Sequence, residues 1–105
     1  MSEFREAPLK ASELPPGSMK TVKVDGEDVL LVNVDGEYFG IGAICMHEEW
    51  DLSEGTLDDH KVTCAGHGTI WDLKTGKGEY VEPVPDEPLF DVKVEGDQIM
   101  VRRRG

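Results

Sequence analysis

The sequence predicts an all-β chain in which antiparallel sheets form a base with a small lobe on top. Three observations carry that expectation. Short runs rich in β-branched and aromatic residues are separated by Asp-Gly or Gly-Asp pairs, dipeptides that favour tight hairpin turns. Phe90, Val92 and Val94 alternate with Asp91, Lys93 and Glu95, which gives a strand one apolar and one wet face. Only residues 11–14, opened by Ser12 and closed by Pro15-Pro16-Gly17, read as a helical turn.

Taken in order, the runs 19–24, 29–34 and 37–41 make two hairpins through Asp25-Gly26 and Asp35-Gly36, with positive φ expected in the turns. Residues 56–58 and 61–63 make a further hairpin with Asp59-His60 at its turn. His60 is therefore expected to be a surface turn residue and not a metal ligand. The runs 89–95 and 98–102 flank Gly96-Asp97 in the same way. Strands at both ends thus bracket a middle segment, about 43–81, that forms the lobe.

At 105 residues the chain has room for one domain, spanning 1–105, and not for two of ordinary size. Twenty-two acids against 11 bases give a net charge of −11. Glu48, Glu49, Asp51, Glu54, Asp58, Asp59 and Asp72 stand against Lys61 alone, so residues 45–72 supply −6 of that total. Such a field repels nucleic acid and steers encounter with a basic protein partner. Arg102-Arg103-Arg104 reads as a solvated tail. No run of 18 or so apolar residues offers a membrane anchor, and Met-Ser-Glu-Phe-Arg-Glu contains no apolar signal segment. A cytoplasmic location is expected, and in that compartment a Cys45–Cys64 disulfide is disfavoured.

Cys45-Met46-His47 and Cys64-Ala65-Gly66-His67 hold both cysteines and two of the three histidines. Mixed thiolate and imidazole donors point to a soft-to-borderline metal. One Cys and one His from each of two loops suit a pair of irons bridged by two sulfides, with the thiolates on one iron and the imidazoles on the other. Zinc also accepts Cys2His2 sets. Its sites usually pair like ligands, with roughly two to four residues between cysteines, whereas here Cys alternates with His and one gap is a single residue. A zinc-stabilised interaction module is the main rival reading. Cys–His nucleophilic catalysis is weaker, because one such pair needs no second.

The flanks narrow the choice. Leu52-Ser53-Glu54-Gly55 follows the first motif, and the second runs into Gly68-Thr69-Ile70-Trp71-Asp72-Leu73-Lys74-Thr75-Gly76. Together these stretches resemble the Rieske [2Fe-2S] family, in particular its small soluble ferredoxins, over about residues 4–102. The Pro-rich Glu82-Pro83-Val84-Pro85 is similar to the segment that covers the cluster in that family. Ala65 stands where Pro is common, and Trp50-Asp51 replace a small residue and Pro. The resemblance implies the Rieske iron-sulfur fold with one [2Fe-2S] cluster per chain. It places Cys45 and Cys64 on one iron and His47 and His67 on the other, with no catalytic residues. Quinol-oxidising members carry an extra Cys in each motif, joined as a disulfide that braces the loops, and two cysteines in total leave none for that brace.

What the resemblance implies about function is a one-electron carrier and not an enzyme, since the chain has no room for the mononuclear-iron domain of Rieske oxygenases. The expected donor is a flavin-dependent NAD(P)H reductase and the expected acceptor a terminal Rieske oxygenase, with a monomer favoured. Within the family the alternative is the small subunit of an assimilatory nitrite reductase. Trp71 is expected to pack and exclude water beside the site; Trp50 is open between packing and conduction. High-potential relatives place Ser and Tyr hydroxyls where this chain has Thr69 and Trp71. That difference implies a potential in the lower half of the roughly −150 to +300 mV Rieske range.

Overall fold

In the computed structural model, which describes residues 4–44, 50–66, 68–80 and 84–104, the Asp-Gly pairs set the scaffold. After β1 (Arg5–Lys10), the strands β2 (Met19–Val24), β3 (Glu27–Val34) and β4 (Glu37–Gly42) form an antiparallel meander. Asp25 and Gly26 take φ of 53° and 81°, and Asp35 and Gly36 take 51° and 94°. Two consecutive positive φ values give a turn whose twist matches that of the strands it joins. The chain continues through β5 (Thr56–Asp58), β6 (Lys61–Thr63), β7 (Ile70–Asp72) and β8 (Gly78–Glu79), and ends in the hairpin of β9 (Leu89–Glu95) and β10 (Gln98–Arg103).

Two antiparallel sheets result. The base has the order β1-β10-β9-β4-β3-β2 and the lobe the order β5-β6-β7-β8. The expected all-β architecture, base and lobe, is therefore what the chain adopts. Among the described residues no helix is long and apolar enough to cross a membrane.

The differences from expectation have local causes. β1 is unannounced in the sequence because Pro8 interrupts it. Proline lacks the N–H a central strand needs, and β1 sits at the sheet edge, paired only with β10 and with a register shift between Glu6 and Lys10. The helical turn is a single 3-10 turn, Ala11–Glu13, in which Glu13 Oε1 accepts from the Lys10 N–H at 2.9 Å. The basic run is not a solvated tail. Arg102 and Arg104 grip Asp91 at 2.9 and 2.8 Å, and Arg103 reaches Glu27 at 2.8 Å. The hydrogen bond from Arg104, then that from Arg102, holds the Asp91 carboxyl below its ordinary value of 3.8.

Strand β3 explains how base and lobe are joined. Side chains alternate across a strand, so Val29 and Leu31 enter a core with Ala7, Leu9, Leu14, Val22, Phe90, Ile99 and Val101. Leu30, Val32 and Val34 enter the opposite core with Ile41, Ala43, Leu52, Val62, Cys64, Trp71 and Leu73. Asn33 is also buried, and its amide donates to Leu14 O at 2.8 Å while its carbonyl accepts from Gly36 N at 2.8 Å.

The lobe depends on one close backbone approach. A Cβ on Gly55 would stand 2.0 Å from the Thr63 carbonyl oxygen, where β5 begins opposite the end of β6. Gly55→Ala is expected to cost about 1–3 kcal/mol by overpacking. Urea unfolding followed by circular dichroism measures the loss, and an unchanged midpoint would show that the backbone yields at no cost.

Candidate metal centre

The first motif hangs from a closed stem. Ile44 and Asp51 form an antiparallel bridge, and Leu52 N donates to Ala43 O at 2.7 Å, so both ends of the intervening six-residue segment are fixed. Asp51 is the anchor. Its Oδ1 accepts from the Thr21 hydroxyl at 2.6 Å and from Ser53 N at 2.9 Å, capping the short 3-10 turn Leu52–Glu54 and tying the stem to β2. Burial pushes the Asp51 carboxyl up, but hydrogen bonds from Thr21 and Ser53 together outweigh it and hold the group below 3.8. Cys45, Met46, His47, Glu48 and Glu49 lie outside the described residues.

The second motif leaves β6 in a tight turn. Cys64 N donates to Thr69 O at 2.8 Å, and Gly68 N donates to Cys64 O at 3.2 Å. Cys64 is 2% exposed and belongs to the same core as Leu52, Val62 and Trp71. His67 lies outside the described residues. Of the four sequence-predicted ligands the structure thus places Cys64 alone, at the inner edge of the lobe core.

Two buried donors stand beside it. Thr69 Oγ1 and Trp71 Nε1 are inaccessible and have no hydrogen-bond partner among the described residues. A buried polar group left unsatisfied costs about 1–3 kcal/mol, so native chains rarely keep one without a reason. Thr69 lies in the turn that Cys64 opens. A thiolate or sulfide sulfur against that turn is an acceptor for its hydroxyl, and a [2Fe-2S] cluster brings such sulfurs. The residues present therefore fit an iron-sulfur group.

Behind this turn the packing is dry, although Ala65 and Gly68 in the turn itself are exposed. Trp71 is fully buried on β7, as expected, and its six-membered ring faces Gly78, where a Cβ would lie 2.7 Å from Cζ3. Val84 of the Pro-rich stretch presses on the same glycine; Glu82 and Pro83 fall outside the described residues. Trp50 behaves differently and is 45% exposed. His60 occupies a turn, as read from the sequence, but it is less of a surface residue than expected. Its ring meets Phe39 edge-on at 5.3 Å, with Nδ1 3.1 Å from Asp59 Oδ1 and Nε2 3.6 Å from Glu37 Oε1. Thr21 escaped the sequence reading, and Gly55 entered it only as part of the stretch after the first motif, because each acts on a residue that no local pattern places beside it.

Residues 7–92 match the Rieske [2Fe-2S] domain family. The ferredoxin component of biphenyl 2,3-dioxygenase from Rhodococcus jostii strain RHA1 is 36% identical over 95 residues, covering 90% of this chain and 89% of that one. Among solved structures, the ferredoxin of carbazole 1,9a-dioxygenase from Nocardioides aromaticivorans IC177 aligns with a TM-score of 0.88 and 26% identity, over 98% of this chain and 100% of that one. A chain from the complex of reduced oxygenase and oxidized ferredoxin in carbazole 1,9a-dioxygenase shares the fold, with a TM-score of 0.85 and 24% identity over 97% and 94% of the two chains.

Two outcomes are expected from this geometry. Thr21→Val removes a bond that favours the charged form of Asp51, so its carboxyl should titrate closer to 3.8, visible in its 13C shift. The stabilisation that Thr21 gives through a depressed carboxyl is present above the unfolded value and drains away as pH falls through the folded one. At pH 7 the variant should be about 1 kcal/mol less stable in urea. Thr69→Val removes a donor that stabilises the extra negative charge on reduction, and protein-film voltammetry should show a lower potential. A potential that is unchanged or higher would separate the Thr69 hydroxyl from the redox group.

Proposed function

We propose, because the chain belongs to the Rieske [2Fe-2S] domain family, that Cys45 and Cys64 hold one iron of its cluster and His47 and His67 the other. We further propose that it carries single electrons in the cytoplasm from a flavin-dependent NAD(P)H reductase to a terminal oxygenase. The observation that supports this best is the buried Thr69 hydroxyl in the turn opened by Cys64, which has no hydrogen-bond partner among the described residues and is a donor that suits a sulfur.

The bound cluster supplies reversible one-electron redox chemistry. The chain's own residues do the rest. Cys64, Leu52 and Trp71 form a dry inner wall, and the low local dielectric strengthens each hydrogen bond aimed at a sulfur. The Ile44–Asp51 stem and the Cys64–Thr69 turn fix both ligand loops at their roots, which limits rearrangement when the charge changes. A relative named as a ferredoxin component of a dioxygenase favours carrier over enzyme. It also favours a dioxygenase over a nitrite reductase as the acceptor system.

Alanine at Cys45, His47, Cys64 or His67 should abolish the visible absorption and the rhombic, low-average-g electron paramagnetic resonance of the reduced centre, since metal binding closes both loops. His60→Ala should keep both signals. Loss of the cluster in the His60 variant, with retention in a His47 or His67 variant, would overturn the ligand assignment. Reduced protein should reoxidise on mixing with the purified terminal oxygenase of biphenyl dioxygenase from Rhodococcus jostii strain RHA1. Electron transfer to a siroheme nitrite reductase alone would replace the acceptor.

A further inference from the structure

We propose that Trp50 is the aromatic anchor by which this protein docks the terminal oxygenase, inserting into an apolar recess with a basic rim. The inference rests on the carrier reading above and adds a residue and a surface to it.

The first argument is exposure. Among the described residues Trp50 is the one large hydrophobic side chain left in solvent, at 45%, whereas Trp71 on β7 is fully buried. The sequence treats the two alike, each within a few residues of a proposed ligand. Packing into the core therefore accounts for Trp71 and leaves Trp50 unexplained. Buried tryptophans at the centre of an interface carry a disproportionate share of binding energy, and an indole offers a large apolar area with few rotatable bonds to freeze.

The second argument is preorganisation. Trp50 directly precedes Asp51, whose backbone bridges Ile44 and whose carboxylate is held by Thr21 Oγ1 and Ser53 N. Leu52, on the other side of Asp51, is fully buried. An exposed tryptophan on so firmly held a backbone has its ordering cost largely met before any partner arrives. The same stem carries the segment with Cys45 and His47, so a partner that covers Trp50 lies against the loop of two proposed ligands.

Charge identifies the occupant's chemistry. Residues 45–72 carry a net −6, and Glu54, Asp58 and Asp59 are exposed on the lobe. A partner with an apolar recess ringed by Lys and Arg complements an indole set among carboxylates. The oxygenase is the occupant favoured here, because the curated relative is named as the ferredoxin component of a dioxygenase.

The test uses cluster-loaded protein and the purified terminal oxygenase of biphenyl dioxygenase from Rhodococcus jostii strain RHA1. Trp50→Ala should raise the Kd for the oxygenase by about ten- to hundredfold, and Trp50→Phe by less. The visible spectrum, the reduction potential and the electron-transfer rate at saturating oxygenase should stay as in the wild type. The salt dependence of Kd should also persist, since the carboxylates remain. An unchanged Kd in Trp50→Ala, with wild-type protein transferring electrons normally, would sink the proposal. So would a lower rate at saturation with unchanged Kd, which would make Trp50 a conduit, or a weakened affinity for the reductase alone. Failure of the wild type to reduce the oxygenase would refute the acceptor assignment itself, and the anchor with it.

Discussion

From Val29 onward strand β3 has no wet face, and the arrangement of the rest follows from that. Its alternate side chains enter two different cores, and its backbone groups are satisfied by β2 on one side and β4 on the other. The same strand is therefore the floor of the lobe and a wall of the base. A shift of register by one residue would exchange the two sets of side chains and put Asn33 into the lobe core, away from the Leu14 carbonyl it caps. The site is thus fixed to the scaffold through side chains packed at both faces of one strand, with the Thr21–Asp51 hydrogen bond as a second, polar tie.

That double tie suits a carrier of charge. Each turnover changes the charge of the centre by one unit, and a loose lobe would relax around the new charge at every step. Here the roots of both loops are hydrogen-bonded to strands or to each other. With the proposed ligands, two ferric irons, two sulfides and two thiolates would cancel formally, so the acidic segment would set the field of the oxidised protein almost alone, and reduction would deepen it. Asp51 contributes to that field while serving as a structural cap. Its low carboxyl value keeps both roles available at neutral pH.

Much of this was legible in the residues themselves. The Asp-Gly pairs located the β2–β4 meander, and the bounds of β2, β5, β6 and β9 agree with the runs read from the sequence. The uninterrupted Val29-Leu30-Leu31-Val32 carries the signature of a strand buried on both faces, although a hairpin alone would not have needed it. β1 was hidden by Pro8, and β8 is only two residues long. His60 was placed in its turn correctly, yet its contact with Phe39 crosses from lobe to base and no local pattern encodes it. Trp50 and Trp71 show the limit best. The room for Trp71 comes from Gly78 standing opposite it on β8, a fact of strand pairing that no run of residues around either tryptophan encodes. The ligand set rests on the two motifs and the family, with Cys64 the member that the described residues place.

The edge strand β1 has a further bearing on how the molecule breathes. β1 and β2 are the two ends of the base sheet, and they come near one another without forming a ladder. Pro8 has no N–H to offer, and the irregular register of β1 against β10 spoils the spacing that a zipper would need. The base is consequently a barrel with an open seam. Fluctuations that cost least begin where a strand has one neighbour instead of two, so the seam takes up the opening motions of the scaffold. Of the two seam strands β1 is paired with β10 alone, whereas β2 is held by β3 and by the Thr21–Asp51 hydrogen bond, so the opening falls to β1 and the side that carries the first motif's stem stays closed.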